Sequence, residues 1–546
     1  MEEGKQGNQV KREKLEKLAK LEKLDKLEKI QKLRETGHPG KKGLSVWQLT
    51  MLALGTVVGG SFFLGSSVAI RAAGPSVLLA YVIGGVLVYL ILSALSEMTV
   101  ANPAPGSFRT YTEQAFGRGA GFTVGWVYWT GLVLAMSSEA TAVSILLQGW
   151  FPALPLALAG TGIIILVTLL NLLGAERLGK LESGLAAFKL LAIVAFIVIA
   201  VAIVAGIGSR GAGAAGINVV RSQSFFPGGI AGIAGSMLMV MFTYAGFEVL
   251  GLAASETGNP GVTVPRAIRR TILLLVSLYL AAMAALFLLL PRALVSEQIS
   301  PFVSALSLYG LGWTGTVMNI VLVSAILSTM LASVFGLGRM LRSLAEEGHT
   351  PGWMRDRSDI PYRGIIISGS AMLAGLGLGL LLPQGVYLFL VSSGGFALLF
   401  SYFIIMASHY RLRQRNGGPF TGQRGLRGYP YSSWIAMGSL VAILASMPLI
   451  PGQGGGLAAG IMFVLLFSGI YAVGALRKRR EAGGRPQPSL QVKVPGARAQ
   501  MEAAEELTEG HQGRSEERHN HPAKGNKHSS QGRKKSGGKQ KKRKRK

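Results

Sequence analysis

The stretch GTVVGGSFFLG at residues 55–65 interrupts an apolar segment that runs from Ser45 to about Ala72. A second apolar segment, from about Gly229 to Ala254, contains FTYAGFE at residues 242–248. Each segment is long enough to cross a bilayer, but glycine inside a helix costs about 1 kcal/mol relative to alanine. We therefore predict two membrane helices that are broken in the middle. Because backbone groups freed by a break need partners inside a membrane, the two breaks predict two halves of an inverted repeat around one small-molecule site.

Composition separates the chain into three regions. Of its 546 residues, 49% are hydrophobic and 15% are charged, and the charge is concentrated at the two ends. Residues 1–44 contain 13 Lys/Arg and 8 Asp/Glu, and residues 477–546 contain 21 Lys/Arg and 7 Asp/Glu. A soluble domain is rarely as poor in charge as the region between them. We predict a charged cytoplasmic N-terminal segment (1–44), a polytopic membrane domain (45–476) and a disordered basic cytoplasmic tail (477–546).

Several classes of chemistry are excluded by what the sequence lacks. There is no cysteine, which excludes disulfides, thiol catalysis and cysteine-metal sites. No apolar run precedes residue 45, so we expect no signal peptide and expect the first membrane helix to direct insertion. We find no motif for phosphate binding, metal-dependent hydrolysis or a Ser/His/Asp nucleophile, and no nucleotide-binding domain. The sequence therefore predicts neither an enzyme nor an ATP-driven pump, and no cofactor or metal.

The membrane domain contains twelve apolar segments of the length that a crossing helix needs. They lie at about 45–72, 76–101, 121–148, 155–174, 183–208, 229–254, 268–290, 312–338, 362–382, 385–408, 431–450 and 455–476. With both tails on one side, the loops on that side hold 17 Lys/Arg and the opposite loops hold only Arg71, Arg210, Arg221 and Arg292. By the positive-inside rule this asymmetry places both termini in the cytoplasm and the protein in the cytoplasmic membrane.

The two tails differ in character. Residues 11–33 repeat Leu or Ile every third position, a period that circles a helix of 3.6 residues per turn and makes no heptad seam. We expect a solvated helix with Glu–Lys pairs, or contact with anionic headgroups or a partner helix. The C-terminal tail ends KKRKRK at 541–546 and is predicted to be disordered. Its charge suits anionic lipid or non-specific RNA binding, and nothing indicates specific nucleic-acid recognition.

The backbone around the two breaks is the candidate binding site. N–H groups at Gly59, Gly60 and Ser61 begin the second half of the first broken helix, where the helix dipole favours an anion. Carbonyls ending the first half, at Val57 and Val58, favour an ammonium, and the second break offers further groups at Phe242, Thr243, Tyr244 and Gly246. A molecule with both charges, such as an amino acid, suits both ends. The alternative is that the glycines serve close helix packing.

Four ionisable side chains fall inside the predicted segments: Glu97, Glu139, Lys189 and Glu248. Lys189 lies roughly 12 Å inside the membrane at about 1.5 Å per residue, near the limit of snorkelling. We predict that it couples transport to protons, or that it is a structural ammonium bound to backbone carbonyls. Glu139 either lines the cavity or is a packing carboxyl. Glu248 either caps the restarting helix or senses the site, and Glu97 is expected to be an interfacial or packing carboxylate.

Several motifs in order resemble the amino acid–polyamine–organocation superfamily, and its bacterial amino acid transporter branch in particular. After the run at 55–65 come AGP at 73–75, SEM at 96–98, GSFRTY at 106–111 and GWVYW at 125–129. AASE at 253–256, NP at 259–260 and VPRAI at 264–268 match the stretch after the sixth helix, and GRMLR at 338–342 matches the segment after the eighth. The resemblance spans about residues 45–450.

The resemblance implies an all-α polytopic fold of twelve transmembrane helices: a five-plus-five inverted repeat with helices 1 and 6 broken, and two further helices. It implies that the substrate carboxylate binds the amides of residues 59–61, and that the amino group binds carbonyls of Val57 and of residues 242–244. It places Lys189 where some proton-coupled relatives have a lysine in the position that sodium takes elsewhere. This chain departs from the family at Phe62, which follows Gly-Gly-Ser where an aliphatic residue is usual, and we expect the departure to affect pocket size.

Together these features predict a secondary active transporter that imports an amino acid by proton symport, with alternating access around the two breaks. The expected partners are an amino acid, H⁺ and the lipid bilayer. Within transport, the alternatives are a polyamine or organic-cation transporter and an amino acid exchanger. An alternative from another functional class is a nutrient sensor. Such a protein would bind the nutrient without transporting it and would signal through its basic tails.

Overall fold

The computed structural model describes residues 45–481, except 103, 105, 208–215, 222, 249, 252–256, 258, 297–298, 311–312, 357, 359, 382–385 and 421–424. The predicted helix at 11–33, the C-terminal tail beyond residue 481 and the AASE motif at 253–256 lie outside these described residues. The first five residues of the predicted disordered tail, 477–481, are helical. Throughout the described part of the chain the secondary structure is helical, without strands. The predicted all-α fold class is therefore confirmed.

Seventeen α-helices make up the described chain. They are α1 Val46–Val57, α2 Gly60–Phe63, α3 Ser66–Ala73, α4 Val77–Ala101, α5 Phe108–Phe116, α6 Arg118–Gln148, α7 Leu156–Asn171, α8 Ala175–Val204, α9 Ile217–Arg221, α10 Gly229–Thr243, α11 Pro260–Leu289, α12 Pro301–Leu308, α13 Trp313–Glu346, α14 Tyr362–Leu381, α15 Val386–Arg415, α16 Tyr431–Ser446 and α17 Gly454–Glu481. Short 3₁₀ turns lie at Gly74–Ser76, Arg292–Leu294, Gly352–Met354 and Met447–Leu449.

Local sequence explains where several helices begin. Ser45 and Gln48 form a capping box at the start of α1, in which each side chain bonds the other residue's backbone N–H. Pro260 and Pro301 occupy the first positions of α11 and α12, where a proline costs no hydrogen bond. These signals fix the ends of the helices that surround the two breaks.

Each of the twelve predicted membrane segments contains an apolar helix. Among the described residues, eight helical stretches are long and apolar enough to cross a membrane, and one of them, Gly60–Ala101, joins the second half of the first predicted segment to the second segment. Four shorter apolar helices, of 10–17 residues, complete the set: Val46–Val57, Leu156–Asn171, Gly229–Thr243 and Tyr362–Leu378. The count of twelve crossings and the inverted repeat remain predictions.

The broken helices lie at the centre of the packing. α1 packs against α8, α11 and α13, while α2 contacts α6, α10 and α13. α6 and α15 make the most extensive helix pair. In contrast, α17 leaves apolar side chains such as Leu465 (68% exposed) and Leu476 uncovered. A helix with an exposed apolar face suits contact with lipid, and the buried centre is where the breaks and the ionisable residues meet.

Candidate functional site

The first break is a two-residue interruption between α1 and α2. α1 ends at Val57; Val58 and Gly59 are extended, and helix resumes at Gly60. The carbonyl of Val58 lies 3.3 Å from Thr329 Oγ1 of α13, and it shares that hydroxyl's proton with the Ala325 carbonyl at 3.2 Å. The predicted break therefore exists, and a protein side chain supplies a hydrogen-bond partner for one of the backbone groups that the break frees.

The second break follows α10. After Thr243 the chain turns through residues 244–248, and Gly246 adopts a φ of +103°, which glycine tolerates and other residues rarely do. Thr56 Oγ1, near the end of α1, shares its one proton between the Ala53 carbonyl of its own helix at 2.9 Å and the Gly246 carbonyl at 3.2 Å. A Cβ at Gly246 would lie 2.9 Å from the Thr56 carbonyl oxygen. A side-chain-to-backbone hydrogen bond thus joins the two breaks, although 190 residues separate these positions.

A small cavity lies between the breaks, with a volume of about 30 Å³. That is about the share of liquid volume that one water occupies, so a larger guest requires the walls to move. Its lining from the breaks is Thr56, Val57, Ser61, Phe242, Ala245, Gly246 and Glu248, and its lining from α6, α13 and α15 includes Tyr128, Leu132, Ala135, Met136, Glu139, Thr329, Ser333, Gly336 and Leu398.

Glu139 of α6 reaches the first break. Its carboxylate accepts a hydrogen bond from the backbone N–H of Ser61, and a Cβ at Gly60 would overlap its Oε2 atom. Glu139 therefore lines the cavity and also caps the restarting helix at the amides that we predicted for a substrate carboxylate. A substrate that binds those amides must displace Glu139 or share a proton with it, because two carboxylates in contact do not both ionise.

Glu248 holds the second break to two other helices. Its carboxylate accepts hydrogen bonds from Tyr128 Oη of α6 at 2.8 Å, Tyr402 Oη of α15 at 3.0 Å and the backbone N–H of Gly246 at 3.1 Å. The last of these bonds lies within the turn and not at the start of the next helix, so the capping role stays a prediction. The two tyrosines had no signal in the sequence, because they lie 120 and 154 residues from Glu248.

Lys189 is fully buried on α8, beside the end of α1. Its Nζ donates to the carbonyl of Gly55 in a short contact and to Ser328 Oγ of α13 at 2.9 Å. The contact with a backbone carbonyl is expected if Lys189 is a structural ammonium. The position next to the first break is expected if Lys189 couples transport to protons. Glu139 is close enough to Lys189 for electrostatic attraction.

Glu182 is an ionisable site residue that the sequence did not lead us to expect. Ser328 Oγ donates to Glu182 Oε1 at 2.7 Å, so a hydroxyl joins this carboxylate to Lys189. The predicted segment began at residue 183, whereas α8 begins at Ala175 and carries Glu182 into the bundle with only 3% of its surface exposed. The available signal was spacing: positions seven apart lie on one face of a helix, so a carboxylate at 182 faces the same side as Lys189.

The remaining predicted residues take different positions. Val58, Gly59 and Gly60 lie on the first break but outside the cavity lining. Thr243 has its carbonyl bonded to Tyr279 Oη at 3.1 Å, and the Tyr244 hydroxyl donates to the carbonyl of Tyr81 at 2.9 Å, so neither lines the cavity. Phe62 stacks on Tyr279 with ring centroids 4.0 Å apart and is not in the lining either. We therefore withdraw the expectation that Phe62 affects pocket size directly.

A second ionic cluster lies away from the cavity, where α5 meets the end of α13. The buried guanidinium of Arg109 bonds Glu113 at 3.1 Å, Ser343 Oγ at 3.2 Å and Glu347 in a short contact, and His349 Nε2 lies 3.3 Å from Glu113. Burial opposes ionisation of Glu113, but hydrogen bonds and the charge of Arg109 outweigh it and lower its pKa from 4.5 to about 2. Burial and the neighbouring carboxylate raise the pKa of Glu347.

Glu97 has a packing role, as predicted. Its carboxylate accepts hydrogen bonds from the backbone N–H of Leu426 at 2.8 Å and from Arg413 at 3.3 Å, and His409 Nε2 lies 2.9 Å from it. These contacts join the end of α4 to α15 and to the chain that follows α15.

Solved structures of one transporter have a similar fold. The crystal structure of a mutant manganese transporter from Eremococcus coleocola matches with a TM-score of 0.53 and 15% identity, over 80% of this chain and 94% of that one. The same transporter in complex with an aromatic bis-isothiourea compound matches with a TM-score of 0.51 and 16% identity, over 79% and 94% of the two chains. At these identities the likeness shows the fold alone.

Relatives found by sequence have higher identity to this chain than these solved structures do. A probable GABA permease of Pseudomonas aeruginosa is 33% identical over 416 residues, 75% of this chain and 87% of that protein. The gamma-aminobutyric acid permease of Escherichia coli is 32% identical (80% and 92% covered), and the aromatic amino acid transport protein AroP of an E. coli strain is 30% identical (81% and 96% covered). The family model described as amino acid permease matches residues 48–483. The resemblance inferred from the motifs is therefore confirmed: this chain belongs to the amino acid permease family.

Proposed function

We propose that this protein imports an amino acid across the cytoplasmic membrane by proton symport, with alternating access around the two breaks. One observation carries the proposal: two broken apolar helices meet through Thr56 and Gly246, and the cavity between them has Glu139 in its wall and Lys189 close by. The relatives named as GABA and aromatic amino acid permeases make an amino acid the substrate class.

We infer the following roles within that cycle. The Ser61 amide receives the substrate carboxylate, and the carbonyls of Val57 and Phe242, which also belong to cavity-lining residues, receive its ammonium. The other predicted groups, at residues 58–60 and 243–244, join the site only when its walls move. Gly246 lets the second break approach the first. Lys189 gains and loses the coupling proton, because it is a fully buried ionisable group beside the first break. Rocking of one half against the other enlarges a cavity that now has room for about one water.

The proposal includes the topology: twelve crossings in a five-plus-five inverted repeat with two added helices, and both termini in the cytoplasm. The basic tails at 1–44 and 477–546 then face the anionic inner leaflet, which attracts them at about 1 kcal/mol per basic residue near the surface. Transport needs neither a cofactor nor a metal in this scheme, and the protein is not an enzyme.

Uptake of a labelled amino acid mixture, including GABA and aromatic amino acids, into proteoliposomes tests the proposal. We expect accumulation driven by an imposed proton gradient, and loss of accumulation but not of substrate binding in Lys189→Ala. Binding without uptake under any gradient would favour a sensor. Uptake by counterflow alone would favour an exchanger, and uptake of polyamines instead would change the substrate class.

A further inference from the structure

Lys189 and Glu182 are joined by a hydrogen-bonded chain in which every donor points the same way. Lys189 Nζ donates to Ser328 Oγ at 2.9 Å, and Ser328 Oγ donates to Glu182 Oε1 at 2.7 Å. Glu182 Oε2 is buried and has no hydrogen-bond partner among the described residues. The carboxylate thus keeps an acceptor unused in a place where an unpaired acceptor costs free energy. The chain has the order that a proton relay needs: an ammonium, a hydroxyl and a carboxylate.

Few other charges lie near this hydrogen-bonded series. In the described structure, the charged groups that interact with Lys189 are Glu182 on its own helix and Glu139 on α6. From α1 the contact is the uncharged backbone of Gly55, and from α13 it is the Ser328 hydroxyl. α11, which also packs on α8, has its charges at Arg266, Arg269 and Arg270, all exposed. Glu182 is therefore the acceptor that a hydroxyl connects to Lys189.

We propose that Glu182 accepts the proton that Lys189 carries, through the hydroxyl of Ser328. The N–H bond of Lys189 breaks as an O–H bond forms on Ser328, while the original Ser328 O–H bond breaks and its proton bonds to Glu182 Oε1. The net change converts an ammonium and a carboxylate into an amine and a carboxylic acid, so no charge is created. The proposal deepens the proposed symport and rests on it.

The position of Glu182 gives the relay a direction. Glu182 is two helical turns, about 10 Å, nearer than Lys189 to the start of α8. The predicted orientation puts that start at the cytoplasmic face. Lys189 is next to the first break, where the substrate is proposed to bind. Glu182 lies on the cytoplasmic side of Lys189 in the predicted orientation. Glu182 would thus release the proton toward the cytoplasm once the substrate has left.

Ser328→Ala is the decisive variant, because it removes the connecting hydroxyl and keeps both charges. Ser324→Ala is its matched control: Ser324 lies one turn earlier on α13, and its hydroxyl donates to the carbonyl of Val321 in its own helix. In proteoliposomes we expect Ser328→Ala to slow gradient-driven accumulation at least about tenfold and to leave substrate counterflow near wild type. We expect Ser324→Ala to leave both rates unchanged and Ser328→Thr, which keeps a hydroxyl, to restore accumulation.

Two outcomes would overturn the relay. Accumulation at the wild-type rate in Ser328→Ala would reduce Glu182 to a fixed counter-charge, and loss of counterflow together with accumulation would make Ser328 a structural residue. Glu182→Gln supplies the second test, in which we expect counterflow to outlast accumulation. Failure of the symport itself is separate, because it would show as wild-type protein that accumulates no amino acid under a proton gradient.

Discussion

Gly60 has no room for a side chain at the first break. A Cβ there would overlap Glu139 Oε2 and the Ile326 side chain. We predict that Gly60→Ala forces Glu139 from the break, costs about 1–3 kcal/mol of stability through overpacking and abolishes measurable substrate binding. Gly162→Ala is the control, since α7 leaves open space at Gly162. Substrate-induced stabilisation against heat, measured in detergent for both variants, checks the prediction, and an unimpaired Gly60→Ala would contradict it.

Glu248 depends on two tyrosine hydroxyls from α6 and α15. We predict that Tyr128→Phe and Tyr402→Phe each lower the free energy of unfolding by about 1–3 kcal/mol, because each leaves a buried carboxylate short of one donor. Tyr309→Phe, which removes a bond to the uncharged carbonyl of Leu289, should cost less. Thermal unfolding in detergent compares the three variants. Equal losses in all three would mean that Glu248 is not held as a charged group.

At the scale of elements, Thr56 connects the broken helix α1 to the turn after α10. Its hydroxyl donates to the Gly246 carbonyl, so we predict that Thr56→Val separates the breaks and weakens substrate binding about three- to tenfold, the value of one hydrogen bond. Thr56→Ser keeps the hydroxyl and should bind as wild type does. Equilibrium binding of labelled substrate measures the affinity of each variant. Equal affinities in the two variants would show that this contact does not contribute to substrate binding.

The cluster between α5 and the end of α13 should respond to acid. The pKa of Glu113 is depressed from 4.5 to about 2, so its ionised form stabilises the fold above pH 4.5 and that stabilisation is lost as the pH falls from 4.5 toward 2. We predict that the melting temperature of the wild type falls across this window more than that of Glu113→Gln. Melting curves at closely spaced pH values test this, and parallel curves for the two proteins would disprove it.

At the scale of the whole molecule, features that depend on the residues of a single helix were predictable. Contacts between helices distant in sequence were not. Glycine marks both breaks directly, and an ionisable residue inside an apolar run marks Glu139, Lys189 and Glu248. Glu182 was missed because a segment boundary drawn from hydropathy fell one residue after it. Neither Tyr128, although it is part of the GWVYW motif, nor Tyr402 shows in the sequence that it bonds Glu248. The sequence alone therefore indicates where a site is needed, and tertiary contact determines which distant side chains complete it.

The predicted topology makes a test of the whole chain possible, because the protein contains no cysteine and a single introduced one is labelled alone. Ser224, before α10, and Asn416, after α15, are both exposed. Five predicted crossings separate them, and an odd number puts them on opposite faces. We predict that a membrane-impermeant maleimide labels Ser224→Cys in intact cells, and labels Asn416→Cys only after permeabilisation. Labelling of both from outside would contradict the span count, whereas the reverse pattern would keep the count and invert the orientation.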